Sequence, residues 1–262
     1  MAWLGSRTKV AEQSFVWWYY SKSGSSGLSL THGTKMLEQR SLREQLYDFI
    51  KEEMEKGHLL PGATINTTQL ATMLGISKTP LRDALIQLMS EGFVDILPRK
   101  GFKVAVLSLD DVKDLYELIG CLEGRIVSLY FDSFSSETIE QLEQLNQKIR
   151  VAIEGDDFEG YFKLNLSFHN TFIDFCHNKA IKKILEVSKR RLYDFPRRTY
   201  IKEWELSNCQ EHGLFIEALR QADPDEAVRI IRDVHWGFGI QERQIRKFYF
   251  EINEEIKKRK KP

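Results

Sequence analysis

The chain has 262 residues, 42% hydrophobic and 29% charged, which excludes a disordered or collagen-like polymer and supplies core for two domains. Its 38 basic residues balance 38 acidic ones, so any contact with nucleic acid needs locally placed charge rather than a global positive field. Cys121, Cys176 and Cys209 form no CxxC pair and suit a reducing cytoplasm, and no apolar run approaches the roughly 20 residues of a bilayer span.

Residues 1–35 stand apart from the rest. The aromatic run from Phe15 to Tyr20 is too short for a signal-peptide core and lacks a small-residue cleavage site. It leads into Ser21 to Gly27, a flexible-linker composition. Two readings stand: an added or over-extended start with Met36 as the initiator, or a native arm whose aromatics dock on the body or on a partner.

From Leu37 the pattern becomes regular. Leu42, Leu46, Phe49, Ile50 and Met54 recur at helical spacing until Gly57, and Pro61-Gly62 makes a turn. Thr67-Thr68 caps a short helix through Leu70, Ala71 and Leu74, which Gly75 stops in the left-handed conformation. Ser77 caps the next helix, with Leu81, Leu85, Leu88 and Met89 on one face and Gly92 at its end. Residues 93–97 and 102–107 read as two strands of a hairpin around Pro98-Arg99-Lys100-Gly101. This order predicts a winged helix-turn-helix over 36–107.

Beyond Ser108 the chain reads as helical, with helices over about 109–131, 136–154, 157–176, 178–193, 207–221 and 224–250. The expected fold class is therefore mainly α: an N-terminal winged helix-turn-helix and a C-terminal all-helical bundle over 108–250. A basic tail over 251–262 follows.

In a helix-turn-helix the first turn of the second helix approaches the major groove, which here places Lys78, Thr79 and Arg82 near base edges. Arg99 and Lys100 beside Gly101 form a compact basic hairpin tip suited to the minor groove or the backbone. Five basic residues oppose three acidic ones between Ile76 and Leu107, whereas residues 41–56 carry three against five. Positive charge is concentrated on the reading surface, although a basic helix start and turn are also ordinary solvated faces.

The run Ile76-Ser77-Lys78-Thr79-Pro80-Leu81-Arg82-Asp83-Ala84-Leu85, with Leu88 and Glu91-Gly92-Phe93-Val94, resembles the GntR family of bacterial transcription regulators. Leu60-Pro61-Gly62 and Pro98 to Val104 match that family too, so the resemblance covers about 37–107. It implies DNA contacts at Lys78, Thr79 and Arg82, supported by Thr67, Thr68 and the wing of Arg99, Lys100 and Gly101. Lys78 stands where Arg is commoner, which keeps the charge and loses the bidentate fork.

The helical region carries three histidines on three apolar stripes. Tyr161, Asn165, Phe168, His169, Phe172 and Cys176 share one face at about 100° per residue. His212 shares a face with Phe215, Ile216 and Leu219, and His235 with Val228, Ile231 and Phe238. One such histidine is ordinarily a hydrogen-bonded core residue. Three in one bundle can all be satisfied by a single divalent metal, with zinc first and nickel or another transition metal next.

The region is similar to the FCD class of effector domains, whose metal-binding members use an acidic residue and a histidine one turn apart, then two later histidines. The resemblance falls on Asn165, His169, His212 and His235, with Asn165 where Asp is usual. Tyr116-Glu117 and Leu122-Glu123 also match, but Ile119 replaces the family's arginine. His177 reads as a surface or capping residue, and His32 and His58 lie outside the bundle.

The leading expectation is a non-enzymatic, ligand-responsive regulator that binds operator DNA as a homodimer under a small carboxylate effector. The alternative is a metal-dependent hydrolase using the three-histidine site with Glu211 or Glu242 as base. Glu211 projects about 100° from its neighbour His212, and no HExxH, nucleophile elbow or glycine-rich phosphate loop occurs. A third reading is a winged-helix scaffold without DNA specificity.

Overall fold

The computed structural model describes residues 40–99, 101–193 and 201–252. The extension over 1–35, Met36, Lys100 and the tail from 253 onward lie outside the described residues.

Helix α1 (Leu42–Glu55) starts at a reciprocal capping box in which Ser41 and Glu44 each satisfy the other's backbone N–H. Its Leu46, Ile50 and Met54 are buried, while Leu42 in the first turn stays exposed. Two short helices follow, α2 (Thr67–Leu74) and α3 (Lys78–Ser90), separated by Gly75 at φ 66°. Leu81, Ala84, Leu85 and Leu88 of α3 are fully buried against α1 and the sheet, so the opposite face of α3 is turned to solvent.

Three features of this domain differ from the sequence-based expectation. The cap of α2 is Asn66, not Thr67-Thr68: its Oδ1 accepts from the N–H groups of Thr68 and Gln69 at 3.1 and 3.0 Å. Ser77 precedes α3 in extended conformation but makes no side-chain cap, and Pro80 removes one of the N–H groups such a cap would use. The hairpin is β2 (Val94–Leu97) and β3 (Gly101–Val104). An additional strand β1 (Thr64–Ile65) pairs antiparallel with β3, giving the order β1-β3-β2 with Phe102 between Ile65 and Ile96.

The second domain packs α4 (Leu109–Leu129), α5 (Ser136–Glu154), α6 (Phe158–Ile173), α7 (Lys179–Tyr193) and α8 (Lys202–Arg220) around Phe168, Phe172 and Phe215. Helix α8 begins at Lys202, earlier than its apolar pattern suggests. The expected single helix over 224–250 is instead α9 (Pro224–Arg229), a π-helical turn Ile230–His235, then α10 (Phe238–Arg246) and a second π-helical turn Lys247–Ile252. The break falls at Gly237, where a Cβ would stand 2.1 Å from the Asp233 carbonyl oxygen. Among the described residues no helix is long and apolar enough to cross a membrane.

Candidate metal centre and nucleic-acid interface

His169 on α6, His212 on α8 and His235 at the end of the π-helical turn converge in the bundle interior. Their relative exposures are 1%, 1% and 8%. A ring nitrogen of each lies within 4.8 Å of those of the other two. The π-helical turn widens the backbone where His235 must enter, a distortion common at functional positions.

Each ring is fixed through Nδ1. His169 Nδ1 is 2.9 Å from Glu123 Oε2, His235 Nδ1 is 2.9 Å from Glu211 Oε2, and His212 Nδ1 is 3.3 Å from Asn146 Oδ1. Carboxylate and amide oxygens accept, so each Nδ1 carries the proton and each Nε2 keeps its lone pair. His169 Nε2 and His212 Nε2 are buried and have no hydrogen-bond partner. An orphaned buried polar atom costs about 1–3 kcal/mol, and here two of them belong to neighbouring rings whose centroids are 5.4 Å apart.

The protonation state fits the same picture. Burial pushes His169 down to about 4, against the opposing pull of Glu123, and burial with the neighbouring His235 and His169 holds His212 well below its ordinary value. Neutral imidazoles with outward-held Nδ1–H groups are the donor set of a divalent transition-metal site. A tetrahedral ion about 2.1 Å from each nitrogen separates them by roughly 3.4 Å, so ring nitrogens within 4.8 Å of one another need close by at most about 1.4 Å. The residues present fit the group.

Asn165 is buried on α6 one turn before His169, on the face that the sequence predicts. Glu123 of α4 is fully buried and gathers three donors: His169, the Trp236 indole N–H at 2.8 Å, and the Lys189 ammonium of α7, with which it forms an ion pair. Burial alone would raise its pKa, but the Lys189 and His169 partners outweigh that and keep it ionised. Ile119, fully buried one turn before Glu123, brings no charge, so the cation of this network comes from α7.

Glu211 also corrects an expectation. It is not a free base: its two oxygens accept from His235 Nδ1 and from Gln241 Nε2 at 2.8 Å, and Gln241 in turn holds the Trp204 indole N–H at 2.7 Å. Glu242, the other candidate base, pairs with Arg246. The supporting residues Asn146 and Lys189 were not found by motif. A charge on an apolar stripe was the available signal: Glu123 lies between Ile119 and Ile126, and Lys189 between Leu185 and Leu192, all buried. A cleft of about 230 Å³ between α5 and α8 reaches this network through Asn146 and is flanked by Arg150, Gly213 and Arg220.

In the winged-helix domain, Lys78, Thr79 and Arg82 occupy the exposed first turns of α3. Thr67 and Thr68 open α2, with Thr68 exposed and Thr67 half-buried. Arg99 is exposed in the hairpin turn and Gly101 begins β3. The described residues therefore bring the predicted contacts to helix starts and a strand turn, the places from which backbone N–H groups and side chains reach phosphates and base edges.

Two family models match this chain. Residues 42–104 match "Bacterial regulatory proteins, gntR family" and residues 114–235 match "FCD domain". The Nta operon transcriptional regulator of Aminobacter aminovorans is 34% identical over 190 residues, covering 67% of this chain and 89% of that one. The HTH-type transcriptional regulator YdhC of Bacillus subtilis is 34% identical over 143 residues, and the match spans 54% of this chain and only 64% of YdhC. Among solved structures, Escherichia coli McbR/YncC superposes with a TM-score of 0.60 at 22% identity, over 79% of this chain and 99% of that one, a likeness of fold.

Proposed function

The chain belongs to the GntR family of bacterial regulatory proteins, with an FCD domain behind its winged helix, and on that premise we propose that it is a ligand-responsive transcription regulator. It binds operator DNA through α3 and the wing, and it holds a divalent metal, zinc first, on His169, His212, His235 and Asn165. The observation that carries this reading is the set of three buried imidazoles with every Nδ1 engaged and two Nε2 atoms orphaned. When bound, the metal supplies a Lewis-acidic point of attachment for an anionic effector.

The chain's own residues select that anion. Asn165 contributes no charge, the carboxylates Glu123 and Glu211 offset a dication, and the buried Lys189 leaves one positive charge over. A buried net charge is costly unless compensated, which favours a small monoanion such as a carboxylate. Asn146, shared between His212 and the cleft, gives such a ligand a polar approach.

Assembly as a homodimer is supported by the outer face of α4, where Leu118 and Leu129 are 40% and 51% exposed and Cys121 is exposed beside them. Two reading helices then meet two half-sites. The hydrolase alternative needs an uncommitted base, and Glu211 and Glu242 are both committed. Retention of a DNA fragment selected by the protein from a random pool, with and without chelator, tests the reading. Metal-dependent retention supports it; turnover of esters with no DNA retention contradicts it.

A further inference from the structure

Helix α7 touches both domains. On its inner side Leu185, Ser188, Lys189 and Leu192 are buried, and the Lys189 ammonium pairs with Glu123, the carboxylate that also holds His169. Its neighbours contact the reader. Lys183 Nζ lies 3.8 Å from Glu91 Oε1. Arg190 acts on Tyr47 of α1, whose hydroxyl donates to Glu91. The Arg191 guanidinium packs on Gly92 so closely that a Cβ there would stand 2.8 Å from its Nε and Cζ. Glu91 and Gly92 terminate α3.

We propose that α7 is the coupling element of this protein, carrying the state of the metal centre from Lys189 through Arg190 and Arg191 to the C-terminal end of α3. The inference rests on the reading that the three histidines hold a metal and that α3 reads DNA. A cation at His169 Nε2 strengthens the Nδ1–H as a donor to Glu123 and repels the Lys189 ammonium, so both effects loosen Lys189 from the shared carboxylate. Lys189, Arg190 and Arg191 are consecutive on one helix, so a shift of its backbone at Lys189 displaces all three. The reader end is poised to respond: Arg191 Nε is buried without a hydrogen-bond partner, so its seat on Gly92 is held by packing alone at that atom.

The test is hydrogen exchange of peptides covering residues 85–93 in the full chain, with zinc alone as the probe and zinc binding measured calorimetrically on the same samples. Wild type is compared with Arg190→Ala/Arg191→Ala and with Lys189→Met. Zinc is expected to change exchange of those peptides by roughly fivefold or more in wild type. In the double variant zinc should bind as in wild type and leave those peptides unchanged. Should Lys189→Met fold poorly, the double variant decides alone. Equal responses in wild type and the double variant, or bound zinc with no response in wild type, overturn the coupling while leaving the metal reading intact. Absence of zinc binding in wild type overturns both.

Discussion

Glu123 and His169 are 46 residues apart in sequence and 2.9 Å apart in the bundle, joining α4 to α6 at the point where Lys189 and Trp236 also converge. That carboxylate orients a candidate metal ligand and neutralises a buried ammonium at once. Glu123→Gln should therefore lower zinc affinity about 10–100-fold by calorimetry. It should also destabilise the metal-free protein by about 3–5 kcal/mol in urea, because it strands Lys189. Wild-type values for both quantities would reduce Glu123 to a bystander.

The metal-free protein should lose stability in acid over a defined window. His169 and His212 titrate below their unfolded values, with His169 at about 4, so between about 6.5 and 4 the unfolded chain binds protons that the folded chain refuses. Stability is then fully present above about pH 6.5 and declines as pH falls, by at most about 1.4 kcal/mol per pH unit for each histidine. Urea midpoints between pH 7.5 and 4.5 check this; a flat profile contradicts the burial of neutral imidazoles.

The parts of the molecule with a repeating local cause were legible in the sequence. Apolar spacing marked the helices of both domains, and the stripe holding Asn165, Phe168 and His169 is buried as the 3.6-residue period requires. What escaped depends on contacts between distant elements. Asn146 meets His212 across 66 residues and Glu211 meets His235 across 24, and neither pairing has a local signature. The π-helical turn before Gly237 is also invisible to a period count, since it shifts the backbone without changing which residues are apolar. Asn66 was missed as a cap because Thr67 and Thr68 beside it are good caps as well.

Asn165→Asp should tighten zinc retention against a chelator and weaken binding of an anionic effector, since the added carboxylate cancels the surplus positive charge. Competition with a chromogenic chelator reads the first effect, and displacement by small carboxylates such as acetate or lactate reads the second. Unchanged values for both would remove Asn165 from the site.

The two kinds of DNA contact separate by salt. Arg82→Ala, at a base-reading position, should cost about 1–3 kcal/mol and relax sequence preference. Arg99→Ala, at the wing, should weaken all duplexes alike and reduce the salt slope by about 1. Fluorescence anisotropy across a salt series checks both; wild-type slope and affinity in both variants would move the reading surface elsewhere.

The most direct test of the account is elemental analysis of the natively purified full chain alongside thermal melting of wild type and His212→Ala in added zinc. One divalent transition-metal ion per chain is expected, with a zinc-dependent rise in wild-type melting temperature that His212→Ala abolishes. A metal-free protein whose His212→Ala variant is as stable as wild type in zinc would make the three histidines core residues and contradict the metal centre.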